Sequence, residues 1–114
     1  MGDFSFTKSE RLAKREEFQL VMNTGRRKRV ENICTLFFIP NQLGRKRLGI
    51  IASKKVGNAV KRNRAKRALR EIFRKIKNQN ELAYDLVIIS GKKLTSLPFS
   101  VLEQKISNAI PERL

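Results

Sequence analysis

Apolar residues near the start of the chain recur at a spacing that places them on one face of a helix. They are Leu12, Phe18, Val21 and Met22. Thr7 followed by Glu10 is typical of a capping box, and Gly25 is a typical helix stop. The pattern predicts a first helix from about residue 8 to residue 24.

The next apolar segments have the character of β-strands. Residues 33–39 are rich in β-branched and aromatic side chains and end at Pro40, and the basic run 26–29 before them is compatible with a short strand. Both faces of 33–39 are largely apolar, so we expect the strand to be covered on both sides or to offer one face to a ligand. Residues 41–46, with Gly44, are predicted to form a hairpin loop that returns as a strand over 47–53.

A second helix is predicted over about residues 59–77, after a turn at Gly57 and an N-cap at Asn58. Its apolar stripe comprises Ala65, Leu69, Ile72, Phe73 and Ile76. The opposite side of the helical wheel carries Asn63, Lys66, Arg67, Arg70, Arg74 and Lys77. The helix is therefore strongly amphipathic, with a cationic outer face.

The last third of the chain adds one strand and one helix. Residues 86–89 form a continuous apolar run, which is typical of a central buried strand. Pro98 opens a last helix, whose inward positions are Phe99, Leu102, Ile106 and either Ala109 or Ile110.

The order of these elements predicts an α+β fold, a single-domain α-β sandwich spanning residues 1–114. It would contain a sheet of about four strands and three helices in the order α-β-β-β-α-β-α. A length of 114 residues suits one domain, and residues 1–6 are predicted to be a flexible tail.

The charge of the chain is concentrated in one segment. The net charge is +16, from 26 basic and 10 acidic residues. Residues 26–77 carry 18 of the basic residues and only Glu31 and Glu71 among the acidic ones, so the surplus lies entirely there. Such a localised excess indicates a polyanionic partner, most commonly a nucleic acid.

Composition also excludes several classes of function. The chain has no His and a single Cys, Cys34, so triads of the Ser-His-Asp type and most zinc sites are excluded. No apolar run approaches the ~20 residues of a membrane span, and the start lacks the features of a secretory signal. We expect a cytoplasmic protein with no membrane partner.

The strongest candidate site is the segment 47–75, a strand, a glycine turn and a cation-rich helix. A helix N-terminus beside Lys54, Lys55, Lys61 and Arg62 favours phosphate oxygens through its dipole and its net charge. The alternative is an ordinary solvated helix face, which would interleave Glu with Lys. Eleven basic residues between positions 54 and 77 meet only Glu71, which favours a bound polyanion.

This segment resembles a known family. Residues 53–60 (SKKVGNAV), 62–64 (RNR), 66–67 (KR) and 69–71 (LRE) are similar to the signature of the bacterial ribonuclease P protein subunit. The resemblance extends to Arg11-Leu12, Phe18, Val21 and Gly25 in the first helix and to residues 85–88 in the late strand.

The resemblance implies a fold and an activity. The family has an α-β sandwich with a left-handed βαβ crossover, whereas the default hand is right. Its members join a catalytic RNA, bind the 5′ leader of precursor tRNA and assist the hydrolysis that generates the mature tRNA 5′ end. Mg²⁺ held mainly by the RNA carries the chemistry, so no catalytic residue, no metal site and no obligatory protein partner is expected for this chain.

The residues and the resemblance together predict two sites. The residues expected at the catalytic RNA are Lys54, Lys55, Asn58, Lys61, Arg62, Asn63, Arg64, Lys66, Arg67 and Arg70. Those expected in a leader-binding cleft between the first helix and the sheet are Phe18, Met22, Thr35 and Phe37. Met22 stands where relatives often carry a second aromatic, and the alternative for Phe18 and Phe37 is that both are plain core.

Two other functions are compatible with the composition. A structural RNA-binding protein, such as a small ribosomal protein, would share the basic segment but not the signature of residues 53–71. An autonomous nuclease would need clustered carboxylates or an acid–base pair, and the basic segment contains only Glu31 and Glu71.

Overall fold

The computed structural model describes residues 8–110, so Thr7 and the predicted tail at residues 1–6 lie outside the described residues. The helices are α1 (Arg15–Thr24), α2 (Ala59–Ile76) and α3 (Phe99–Ala109). The strands are β1 (Arg26–Val30), β2 (Cys34–Pro40), β3 (Arg47–Ile51) and β4 (Tyr84–Ser90). Short 3-10 turns precede α1, α2 and α3 at Lys8–Glu10, Lys54–Val56 and Leu94–Ser96. The predicted α+β class and the order α-β-β-β-α-β-α are confirmed.

The four strands form one mixed sheet in the order β1-β2-β4-β3. β4 is antiparallel to β2 and parallel to β3, so the prediction of a central buried strand is confirmed. The predicted hairpin between β2 and β3 is wrong, because β4 lies between them. β4 is mostly apolar on both faces, and almost all of its side chains are buried. A central position in the sheet provides this burial, because strands lie at both edges of β4 and helices cover both of its faces. The left-handed sense of the β3-α2-β4 crossover stays a prediction.

The first helix is shorter than the sequence pattern predicted. It begins at Arg15, because the residues before it follow the edge of the sheet, where the Leu12 N–H donates to the Leu48 carbonyl at 2.9 Å. Glu17 caps the new start, since its Oε1 accepts from the backbone N–H groups of Ala13 and Lys14, each at 3.0 Å. The predicted stop at Gly25 is confirmed.

Helices cover both faces of the sheet. α2 and α3 pack on one face, where Leu69, Phe73 and Ile106 meet Leu36 and Leu86 in the main core. The predicted apolar stripe of α2 is buried in full. The inward positions of α3 are also confirmed for Leu102, Ile106, Ala109 and Ile110, while Phe99 is half-buried.

α1 packs on the other face over a smaller apolar cluster centred on Leu12, Val21 and Val87. None of the three helices within residues 8–110 combines the length and the apolar character that a membrane span needs.

An ion-pair network fixes α1 to the sheet. The Arg47 guanidinium donates to both carboxylate oxygens of Asp85, at 2.9 and 2.7 Å, and to Glu17 Oε2 at 2.9 Å. The Asn41 amide also donates to Asp85, at 2.7 Å. The bidentate pairing with Asp85 raises the pKa of Arg47, so its charge is permanent. This network sets the position of α1 relative to β3 and β4.

Candidate nucleic-acid interface

The entry into α2 is shaped by one capping serine and one glycine. Ser53 Oγ accepts from the Lys55 N–H at 3.3 Å, at the start of the 3-10 turn. Gly57 has a φ of 139°, which side chains with a Cβ rarely adopt, and a Cβ there would meet Lys61 Cδ at 2.7 Å. The glycine therefore allows the chain to turn sharply between the lysines of the 3-10 turn and those of α2.

Asn58 has a structural role in addition to its predicted place in the RNA site. Its Oδ1 accepts from the Lys61 N–H at 3.0 Å and so caps α2, as the sequence predicted. The side chain is exposed, so the cap lies at the surface among Lys54, Lys55 and Lys61.

We use the term basic face for the cations that surround the start of α2 and continue along its outer side. Each of these side chains is exposed or half-exposed, and within residues 8–110 none of them is ion-paired to a carboxylate. They are Lys54, Lys55, Lys61, Arg62, Arg64, Lys66, Arg67 and Arg70. Asn63 is exposed on the same side of the helix. Neighbouring like charges on one helix are destabilising, so the basic face lowers the stability of the free protein.

The cations at the end of α2 are different. Arg74 pairs with Glu71 at 2.8 Å and Lys75 with Glu103 at 2.9 Å. Lys77 Nζ lies 2.9 Å from a Glu10 oxygen and is largely buried. Arg74 and Lys77 are thus already paired with carboxylates, so we end the basic face at Arg70.

The second predicted site is built on β2. Its side chains alternate, so that Cys34, Leu36 and Phe38 are buried beneath α2 and α3 while Thr35 and Phe37 face α1 and are half-buried. The strand is thus neither plain core nor plain surface on its α1 side.

Phe18 and Met22 complete this second site from α1. Both are half-buried and pack with Phe37 against the smaller apolar cluster. Phe18 lies so close to β3 that a Cβ on Gly49 would be 2.5 Å from its ring. The structure therefore brings Phe18, Met22, Thr35 and Phe37 together, and we call this region the α1 cleft.

Two cations of the α1 cleft were missed by the residue assignments made from the sequence. β1 pairs with β2 in a register that sets Arg27 opposite Phe37 and Arg29 opposite Thr35. Paired residues of antiparallel strands point to the same face, so both exposed arginines flank the α1 cleft. In the sequence, alternate positions of residues 26–30 would point to the same face of a strand. That pattern assigns Arg27 and Arg29 to the α1 cleft only when the register of β1 with β2 is known.

The two predicted sites lie on opposite sides of the sheet. The basic face points away from the sheet on the α2 side, and the α1 cleft opens on the other side. The protein therefore offers two separate surfaces rather than one continuous pocket.

The described residues contain little that resembles an active site. No group of three His, Cys, Asp or Glu residues within 8–110 is arranged to hold a metal ion. Glu17 and Asp85 are engaged by Arg47, and the other ion-paired carboxylates are Glu10, Glu31, Glu71 and Glu103. Burial raises the pKa of the Cys34 thiol to about 12, so it stays protonated and unreactive.

Comparison with known proteins gives one consistent result. Residues 6–112 match the family model described as Ribonuclease P. A ribonuclease P protein component of Desulforapulum autotrophicum is 43% identical over 101 residues, covering 85% of this chain and 82% of the relative. The corresponding component of Thermotoga maritima is 37% identical over 110 residues, covering 93% of each chain.

Solved structures agree with the sequence comparisons. The ribonuclease P protein of Thermotoga maritima superimposes with a TM-score of 0.80 at 32% identity, over 92% of this chain and 98% of that one. That of Staphylococcus aureus gives 0.79 at 30% identity, over 89% and 92%.

Proposed function

Since this chain belongs to the ribonuclease P protein family, we propose that it binds the catalytic RNA of ribonuclease P through the basic face of α2. The chain is the protein component of a ribonuclease that acts in processing the 5′ end of tRNA. Family membership also separates it from a structural ribosomal protein, the main alternative that the composition had left open.

The observation that carries the proposal is the absence of carboxylate partners on the basic face among residues 8–110. Eight cations gather around the start and outer side of α2, and the two carboxylates that form no ion pair among residues 8–110, Glu16 and Glu81, lie outside this helix. Phosphate oxygens would relieve this repulsion and release counterions. Asn63 adds a neutral side chain that suits a backbone or 2′-hydroxyl contact.

Salt dependence tests the proposal. If about six of the cations contact phosphates, log K for the catalytic RNA falls with log[salt] at a slope of about −4 to −5. Arg62→Ala, Arg64→Ala and Arg67→Ala should each reduce the magnitude of the slope by about 0.7–0.8 without unfolding the protein. Lys105→Ala is the matched control, because Lys105 is also a helical cation but lies on α3 and is already paired with Glu31. A slope near zero, or equal effects of all four variants, would contradict the assignment.

For the α1 cleft, we propose that it binds the 5′ leader of precursor tRNA. Phe18 and Phe37 would provide apolar walls for bases, with Met22 and Thr35 beside them, and Arg27 would hold leader phosphates. Single-stranded nucleic acids are commonly bound by aromatic side chains next to cations, because every base has a face that can stack. The half-buried state of both phenylalanines supports this function over plain core.

We place the catalytic centre in the partner RNA. The chain has no His, and within residues 8–110 the carboxylates are mostly held in ion pairs and form no metal cluster. These residues do not fit a protein-bound Mg²⁺ site, so the Mg²⁺ expected for the reaction would be held by the RNA. The protein's own contribution is to bind and position RNA. A cytoplasmic location and the lack of an obligatory protein partner stay predictions.

Reconstitution tests the whole proposal. The protein is mixed with a ribonuclease P RNA and precursor tRNA at a low Mg²⁺ concentration, and cleavage at the 5′ end is measured. We expect stimulation over the RNA alone and no cleavage by the protein alone. Cleavage without the RNA would place the active site in this chain, and a lack of stimulation would reject the protein as a functional partner of that RNA.

A further inference from the structure

A cavity of about 370 Å³ adjoins the basic face and has no part in the function described so far. It lies between α2 and the turn that leads into α3. Carbon side chains of Leu94, Leu97, Phe99 and Leu102 form most of its wall, and Arg64 and Arg67 stand at its α2 side. Its volume falls within the ~300–1,000 Å³ that is typical of small-molecule sites.

We propose that this cavity receives one unstacked base of the catalytic RNA, whose flanking phosphates are held by Arg64 and Arg67. The proposal rests on the proposed function of the basic face and extends it from phosphate binding to base binding. We call the cavity the base pocket.

The chemistry of the wall selects a base rather than a phosphate. A phosphate buried among leucine side chains would lose its hydration without recovering hydrogen bonds, which is costly. A base is flat and largely apolar on its faces, and unstacked RNA bases commonly stack on aromatic rings and arginine planes. Phe99 and Arg67 supply both kinds of surface at this cavity.

Glu71 adds a second selective feature. Its carboxylate lines the base pocket and is held by Arg74 at 2.8 Å. A carboxylate repels a phosphate but accepts hydrogen bonds from the amino groups of adenine, cytosine or guanine. Thr95 adds a hydroxyl on the opposite wall. The base pocket therefore favours a base with an exocyclic amino group.

Charge complementarity identifies the occupant as RNA rather than an apolar protein side chain. Both arginines at the mouth are exposed and, within residues 8–110, have no carboxylate partner. They continue the basic face without a gap, so an RNA strand that follows the face passes the mouth of the base pocket.

The test is to fill the base pocket without changing its charge. Ala68 is half-buried in its wall, and Ala68→Leu places a larger side chain there while every cation stays. We expect affinity for the catalytic RNA to fall about tenfold at every salt concentration, equivalent to about 1.4 kcal/mol and within the contribution of one stacked base. The salt slope should stay at its wild-type value, whereas Arg67→Ala should reduce it.

Two further variants make the result decisive. Ala13→Leu adds the same side chain at an exposed position outside the base pocket and should bind like the wild type. Thr95→Leu fills the base pocket from the other side and should reproduce the loss of RNA affinity. It is the independent test if Ala68→Leu lowers the melting temperature. If Ala68→Leu and Thr95→Leu both melt and bind like the wild type, the base pocket is not occupied by RNA.

These outcomes separate the two proposals. If the wild type binds the RNA and Arg67→Ala weakens it while both filling variants do not, only the base pocket is rejected. If the wild type shows no salt-dependent binding, the basic face itself is rejected.

Discussion

Gly49 on β3 offers a direct test of how Phe18 is held in the α1 cleft. A Cβ at this position would lie 2.5 Å from Phe18 Cε2, 2.7 Å from Cζ and 3.1 Å from Leu12 Cδ1. Carbon atoms pack at about 3.5–4.0 Å, so in Gly49→Ala the phenyl ring has to move by about 1 Å. The variant therefore perturbs the α1 cleft from below, without removing any of its side chains.

The sign of the change in folding stability of Gly49→Ala shows whether Phe18 contacts β3 at this position. Gly49 does not have a positive φ, so alanine is compatible with its backbone and on its own would stabilise the protein by about 0.4–1 kcal/mol. Overpacking costs about 1–3 kcal/mol. Because Phe18 is half-buried and its ring end can swing outward, we expect the middle rather than the top of that range, about 2 kcal/mol, and so a net loss of about 1 kcal/mol after the gain from alanine is subtracted.

The assay is a double-mutant cycle followed by urea denaturation. Phe18→Leu shortens the side chain and leaves room for the new methyl group, so the double variant should be more stable than the sum of the single effects by about 1 kcal/mol. In parallel, Gly49→Ala should weaken holoenzyme binding to leader-bearing precursor tRNA and leave binding to mature tRNA unchanged. A stabilised Gly49→Ala protein, or strictly additive effects, would refute the contact between Phe18 and β3.

Three more predictions concern the two surfaces and the network between them. Phe37→Ala should lower affinity for leader-bearing precursor tRNA by about 1–3 kcal/mol per lost stacked base and spare mature tRNA; equal losses for both RNAs, with early thermal melting, would show that Phe37 is core. The N–H groups of Lys14 and Ala13 lower the pKa of Glu17 below its ordinary 4.5, so its stabilising effect is present above that pH and is lost as the pH falls through the lowered pKa. Glu17→Gln should therefore be less stable than the wild type at pH 7, with the difference closing under acid in melting scans; a constant difference would contradict this. Asn58→Asp keeps an N-cap and adds a negative charge at the helix N-terminus among the lysines of the basic face, so RNA affinity should fall while folding stability is kept or increased. Asn58→Ala should instead lose about 0.5–2 kcal/mol of folding stability; the reverse pattern in melting and binding measurements would refute the separation of the two roles.

Local patterns predicted most elements of this protein well. The stripe of α2 and its Asn58 cap follow from helical periodicity and side-chain hydrogen bonding within a few residues. The alternation of β2 likewise follows from residues close together in sequence. The predicted start of α1 was wrong because Arg11 and Leu12 pair with Leu48 of β3, more than 30 positions away, and no local spacing indicates that contact.

Strand order and side-chain pairing were the features that the sequence could not supply. A loop with Gly44 is compatible with a hairpin, and only the burial of β4 on both sides places that strand between β2 and β3. Site membership depended on the same long-range pairing. Arg27 lies at the α1 cleft because β1 pairs with β2 in a register that sets it opposite Phe37. Arg74 is not part of the basic face because it is paired with Glu71.

The late position of β4 in the sequence has a consequence for how the protein is made. β4 is the last strand to leave the ribosome, yet it is the strand that both β2 and β3 require as a neighbour. Until Ser90 has emerged, residues 26–77 are a nascent polycation whose sheet cannot close, beside the ribosome's own RNA. Pairings between distant segments also slow folding. We therefore expect the sheet to be completed only late in synthesis, and a chain that ends before residue 84 to lack the strand with which both β2 and β3 pair.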